Sequence, residues 1–165
     1  MWFDLDELSG EVNIKKILGK DIKANKIVLK GNDLVFARIE PCIYNGKIAL
    51  IPSGIKEALG STELLITRAK PNVLPSFLLW ILRSELIQRQ IAGKMTRTTG
   101  RRRLPITVFA SIQLPKVCLK LQKLIADEAT RRRNEAKQLL TEAENIVSEA
   151  KARVERMILG EEDGT

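Results

Sequence analysis

The sequence predicts an α+β protein: a small globular α/β domain with a mixed sheet, followed by a long C-terminal coiled-coil helix. Three observations carry this. Short β-rich runs bounded by turn residues crowd between Lys30 and Arg68. The apolar period then changes to threes and fours between Pro75 and Ile91. From Lys116 to Leu159 there is no Gly or Pro, and Ala, Leu, Glu, Lys, Arg and Gln dominate. A chain of 165 residues has room for one domain with a real core plus an appendage. The predicted boundaries are 1–114 for the domain, 115–160 for the helix and 161–165 for a disordered tail.

Residues 1–29 show little pattern beyond a short helix near Asp4–Leu8. "DLVFARI" (Asp33–Ile39) follows the turn-like "KGND", "KIALI" (Lys47–Ile51) follows "YNG", and "ELLITR" (Glu63–Arg68) follows "LGS". Each is a brief β-prone run behind turn formers, and the three read as neighbours in one sheet. Pro75 suits a first helical turn; Phe77, Leu78, Ile81, Leu82, Leu86 and Ile87 recur at three and four; Gly93 suits the stop. One amphipathic helix is predicted there. "GKMTRTTGRRRLP" (Gly93–Pro105) reads as a basic loop, and the β-branched and aromatic "ITVFASIQL" (Ile106–Leu114) as a last strand.

After Pro115, which fits a first helical position, the predicted helix runs from Lys116 to Leu159, about 66 Å at ~1.5 Å per residue. Ala129, Arg133, Ala136, Leu140, Ala143, Val147, Ala150, Val154 and Met157 follow one another in steps of four and three. This is a heptad seam with alanine at nearly every second position and Arg133 as its violation. Alanines let helix axes come close, so the expected partner is another helix. The helix near Pro75–Ile91 spans roughly half the length at ~1.5 Å per residue, so most of the seam requires a second chain or a second copy of this one.

The net charge is +8, and residues 1–114 carry all of it, with 18 Lys/Arg against 10 Asp/Glu, while residues 115–165 balance at 10 against 10. Arg83, Arg89, Lys94, Arg97, Arg101, Arg102 and Arg103 face one acid, Glu85, within their span. A field of that sign attracts a polyanion through phosphate neutralisation and counterion release. The apolar run Phe77–Leu82 ends at Arg83, far short of the ~20 residues that span a bilayer, so no membrane association is expected. The acidic start "MWFDLDELSG" has no export-signal pattern, which places the protein in the cytoplasm with Cys42 and Cys118 reduced.

The chain has no histidine, which removes the commonest general base and metal ligand and every Ser-His or Cys-His pair. Two distant cysteines make no zinc site, and no phosphate-binding Gly-Lys-Ser/Thr loop occurs, so no cofactor or metal is expected. A metal-dependent nuclease could draw on Asp33, Glu40 and Lys47 by residue type. Asp33 beside Gly31 and Asn32 is more simply a turn residue, and Glu40 before Pro41 a strand end. A helical interaction scaffold with non-specific polyanion binding is the other alternative.

"KGNDLVFARIEP", "GKIALIP", "GSTELLITRAKPNVLPSFLLWILRS", "TGRRRLPITVFASIQLP" and the long charged helix, in that order, resemble the target-recognition domain and conserved helix of the specificity subunit of type I restriction-modification systems. The resemblance covers about residues 28–159. It implies a non-catalytic subunit that recognises double-stranded DNA, with methyltransferase subunits, and restriction subunits where present, as partners. The usual subunit has two recognition domains and two long helices; this chain has one of each. The resemblance therefore implies a half-subunit that forms a homodimer through its helix and matches a bipartite DNA site. The predicted DNA contacts are Arg83, Arg89, Lys94, Thr96, Arg97, Thr98, Thr99, Arg101, Arg102, Arg103, Tyr44 and Lys47, with arginine as the usual bidentate reader of guanine. The predicted dimer and partner seam is Ala129, Ala136, Leu140, Ala143, Val147, Ala150, Val154 and Met157.

Overall fold

The computed structural model describes residues 2–3, 26–98 and 100–161. The predicted helix near Asp4–Leu8, Thr99, and residues 162–165 of the predicted tail lie outside them. The chain divides into two compact units, Met1–Ala126 and Asp127–Thr165.

In the first unit, strand β1 is Trp2–Phe3, β2 Lys26–Leu29, β3 Asp33–Ala37, β4 Ile48–Leu50, β5 Ala58–Ser61 and β6 Leu64–Arg68. Three of them form the predicted sheet, in the order β4-β3-β6, antiparallel throughout, with Val35 opposite Ala49 on one side and Ile66 on the other. All five residues of β3 are buried. Leu34 and Phe36 point into one apolar cluster and Val35 and Ala37 into another, as the two-residue period of a strand requires. The central strand is therefore covered on both faces, and its run of apolar residues reflects that.

The β2 and β5 strands were not apparent in the sequence: "KIVL" lies within the unpatterned start, and "LGS" resembles a turn. They pair antiparallel, and β1 adds to β5 in parallel, so this second sheet, in the order β1-β5-β2, is the mixed one. Leu29 and Ala58 carry its apolar contribution to the cluster around Val35 and Ala37. The turn into β3 is set by geometry. Asn32 has φ 67°, the left-handed region where Asn is tolerated, and a Cβ on Gly31 would lie 2.5 Å from the Ser53 carbonyl oxygen.

The single helix expected over Pro75–Ile91 is two: α1, Pro75–Arg83, and α2, Glu85–Ile91. Ser84 breaks it by leaving the helical region (φ −70°, ψ 155°), with both its N–H and its hydroxyl donating to the Ile81 carbonyl. The break lets two short helices bury different faces in one cluster, Leu78, Leu79 and Leu82 from α1 and Ile87 and Ile91 from α2. Leu86, part of the assumed continuous stripe, is left exposed.

Two further expectations are corrected. The basic stretch is a two-stranded hairpin, β7 Thr96–Thr98 and β8 Arg101–Arg103, not a loop. "ITVFA", read as strand from its β-branched residues, is helix α3, Ile106–Ala110. Val108, Phe109 and Ile112 recur at helical spacing and pack on the Leu34–Phe36 cluster, with the Phe109 ring 5.2 Å from that of Phe36. Burial against that cluster outweighs a β-propensity that depends on having a neighbouring strand.

The long helix, α4, spans Leu119–Ile158, about 60 Å at ~1.5 Å per residue, and starts four residues after Pro115 rather than on it. Its first two turns belong to the first unit. Gln122 and Ala126 are its buried residues, and both lie on the backward continuation of the seam. The Gln122 amide accepts the Leu74 N–H at 2.8 Å and donates to the carbonyls of Asn72 (3.0 Å) and Val117 (2.8 Å), which satisfies its buried polar atoms and caps α1. In the second unit the seam is open: Leu140 is 61 % exposed, Val147 and Val154 53 %, Met157 41 %. No helix among the described residues is long and apolar enough to cross a membrane.

Candidate nucleic-acid interface

The hairpin gathers most of the predicted contact residues. Its register pairs Thr96 with Arg103, Arg97 with Arg102 and Thr98 with Arg101, and Gly100 in the tip has φ +81°, which favours glycine. Residues directly opposite share a face of a ribbon. Thr96 and Arg103 therefore lie on one face, with Arg101 two positions before Arg103 on the same face, and Arg97 and Arg102 lie on the other. Among the described residues the backbone ties from the hairpin strands to the domain come from β8 and the residue after it. Arg103 bridges to Ile39, the Leu104 N–H donates to the Arg38 carbonyl, and the Glu40 N–H donates to that of Arg102.

Two carboxylates stand at the base of the hairpin. Arg103, 19 % exposed, donates from Nε and Nη2 to Glu63, the shortest contact being 2.6 Å. The hydrogen bond from Arg103 holds the Glu63 carboxyl below its ordinary 4.5, against an opposing effect of burial, and the charges of Arg103, Arg38 and Arg101 add to it. Arg102 stands 3.5 Å from Glu40. Lys94, Arg97 and Arg101 are exposed and make no side-chain hydrogen bond or ion pair among the described residues. Of five cations in the stretch, two are engaged by acids and three face solvent. Sequence reading missed Glu40 and Glu63 in this role, because they lie 62 and 40 positions from the arginines they meet.

The other predicted contacts sit elsewhere. Arg83 turns inward: its Nη2 donates to the Ile48 carbonyl at 3.1 Å, and the guanidinium lies 5.6 Å from the Trp80 ring. Arg89 is exposed on α2 and engaged with Glu85 one turn back, at 2.8 Å. Tyr44, 43 % exposed, and Lys47 occupy the turn that follows Glu40 and leads into β4. Thr99 lies outside the described residues.

The residues weighed for a nuclease are otherwise employed. Asp33 is buried at the start of β3, where Arg68 Nε donates to it at 2.5 Å, Arg68 Nη2 at 3.0 Å and the Lys30 N–H at 2.8 Å. Burial alone would raise its carboxyl; the hydrogen bonds from Arg68 and Lys30 and their charges outweigh that and hold it below 3.8. Asp33 thus ties β3 to β6 and to its own turn, and Glu40 faces Arg102. No group of three Cys, Asp or Glu positioned for a metal occurs among the described residues.

No family model matches the chain. It is 31 % identical over 120 residues to the specificity subunit of the Escherichia coli type I restriction enzyme EcoAI, covering 71 % of this chain and 20 % of that subunit. Its fold matches the crystal structure of the HsdS subunit from Thermoanaerobacter tengcongensis with a TM-score of 0.71 at 22 % identity, over 94 % of this chain and 40 % of that one. A chain from a structure of a type I restriction-modification system, solved for its complex assembly and conformational transition, matches with a TM-score of 0.66 at 28 % identity, over 93 % and 42 % respectively. The chain therefore spans one fifth of the E. coli subunit and about two fifths of each solved chain. In sequence the chain is thus similar to part of the EcoAI specificity subunit, and its fold is that of part of the HsdS chain.

Proposed function

We propose that this chain is a sequence-specific DNA-recognition subunit of a type I restriction-modification system, acting as a half-subunit. The single observation that carries the reading is the hairpin. Arg97 and Arg101 lie exposed on a two-stranded ribbon anchored to the sheet through β8, with Lys94 exposed just before it, and a ribbon of that kind can enter the major groove. Phosphate contacts from cations of this stretch set register, and base edges are read by side chains on and beside the ribbon, Tyr44 and Thr96 among the candidates. The open seam from Ala129 to Met157 pairs with the same seam of a second copy. A two-fold pair of domains then matches a bipartite DNA site. Methyltransferase subunits, and restriction subunits where the system has them, dock on this assembly and carry the chemistry. This chain supplies the address, in the cytoplasm, and binds no cofactor itself.

The test is a selection from random DNA duplexes with the full chain, with and without a methyltransferase subunit. The expected outcome is enrichment of a bipartite sequence, with each mismatched base pair costing about 1–3 kcal/mol. Enrichment of nothing in either arm sinks the reading and favours a scaffold that holds polyanions without preference.

A further inference from the structure

Resting on the DNA-recognition reading, we propose that Arg97 is the base reader of the hairpin, taking the O6 and N7 acceptors of one guanine in the major groove, while Lys94 and Arg101 hold phosphates. The assignment follows from what the neighbouring cations already do. Arg103 is bound to Glu63 through two nitrogens, and Arg102 stands against Glu40. Arg83 is spent on the Ile48 carbonyl and Arg89 on Glu85. Arg101 shares the ribbon face of Arg103, and its charge acts on Glu63. That leaves Arg97, which lies on the ribbon face opposite Arg103 and beside Arg102, as the hairpin arginine that makes no ion pair with Glu40 or Glu63 and lies off the Glu63 face.

Its position in the fold agrees. Arg97 is the middle residue of β7, and among the described residues β7 pairs with β8 alone, whereas β8 is the strand held to Arg38–Glu40. The outer strand of the ribbon is thus the one free to enter a groove about 12 Å wide. A planar guanidinium presents two parallel N–H groups that match guanine O6 and N7, which a lysine ammonium cannot do from one fixed geometry. Lys94, exposed just before β7, is a point charge suited to a phosphate oxygen.

The test repeats the duplex selection with full-length Arg97→Ala and Arg97→Lys proteins. It then measures affinity for the selected site and for the same site with 7-deazaguanine, which lacks the N7 acceptor, at each guanine in turn. Both variants are expected to lose preference at one guanine and keep the rest of the site. Arg97→Ala should bind the wild-type site about 5- to 150-fold more weakly, the range of a bidentate arginine–guanine pair. The 7-deazaguanine substitution at that position should weaken wild type and leave Arg97→Ala unaffected. Arg97→Lys carries the same test should the alanine variant fold poorly. A selected site unchanged in both variants, or one without guanine, overturns the assignment. So does uniform weakening across sequences with the salt slope lowered by about one, which marks a phosphate contact. Failure of the wild-type chain to enrich any sequence is a different result: it removes the DNA-recognition reading and this inference with it.

Discussion

Arg103 and Arg97 are six positions apart in one hairpin, carry the same charge, and have different work to do because of what lies beneath them. Glu63 takes two donor nitrogens of Arg103, and a half-buried bidentate pair of this kind holds β8 to the edge of the sheet. Arg103→Ala should therefore lower Tm, whereas Lys94→Ala and Arg101→Ala should leave Tm unchanged and each reduce the salt slope of DNA binding by about one. The acids give a pH dependence of definite sign. Glu63 and Asp33 titrate below their ordinary 4.5 and 3.8 in the folded protein, so they bind fewer protons there than in the unfolded chain. Their stabilising contribution is complete above those values and is lost as pH falls through the lower folded ones. Denaturant midpoints measured from pH 6 to pH 2 should fall on the acid side, and Glu63→Gln together with Asp33→Asn should flatten that fall. A double variant with the wild-type acid limb would remove both carboxylates from the account.

The elements differ in how completely their apolar faces are used. Strand β3 buries both faces and α1 and α2 share one cluster, but α4 leaves Leu140, Val147, Val154 and Met157 in solvent along a single stripe. The same stripe, followed back one and two turns before Ala129, is Ala126 and Gln122, which are buried in the first unit. A continuous heptad seam is thus closed at its start and open beyond. Leu140→Lys places a charge at the centre of the open part; in the proposed pairing of two copies its cost is the desolvation of an unpaired cation between helices. Sedimentation should show self-association weakened on the order of 100-fold or more, with the Tm of the first unit unchanged. Equal association of Leu140→Lys and wild type would mean that the seam is not the contact surface.

The division at Ala126 sets what can be cut from the chain. Gln122 is separated by about fifty positions from Asn72 and Leu74, the loop and cap it completes. A chain ending at Ala126 should unfold cooperatively and lose self-association, while one ending at Leu114 should lose the cap of α1 and be markedly less stable. Gln122→Ala in the full chain isolates the polar part and should cost about 1–3 kcal/mol, read from denaturant unfolding. A Leu114 truncation as stable as the Ala126 one would show that the first turns of α4 contribute nothing to the domain.

The patterns legible in the sequence were those generated by local periodicity and local charge. The alternation of "DLVFA" and its turn, the seam of α4 and the cluster of cations around Arg101 are each written within a few residues, so sequence alone was enough to identify the central sheet, the long helix and the basic stretch. The resemblance rested on the order of such stretches and survived comparison with known proteins. Decisions taken between distant residues were not legible. Ser84 divides a helix because two clusters of side chains must reach one core, and α3 forms because Phe109 meets Phe36. Gln122 is a cap because Leu74 lies beside it, and Arg102 and Arg103 are engaged because Glu40 and Glu63 arrive from other strands. Propensity and charge are properties of a residue and its near neighbours, whereas burial and pairing belong to whatever the folded chain brings within a few ångströms, and only the folded chain could separate the arginines engaged by carboxylates, Arg102 and Arg103, from those that face solvent, Arg97 and Arg101.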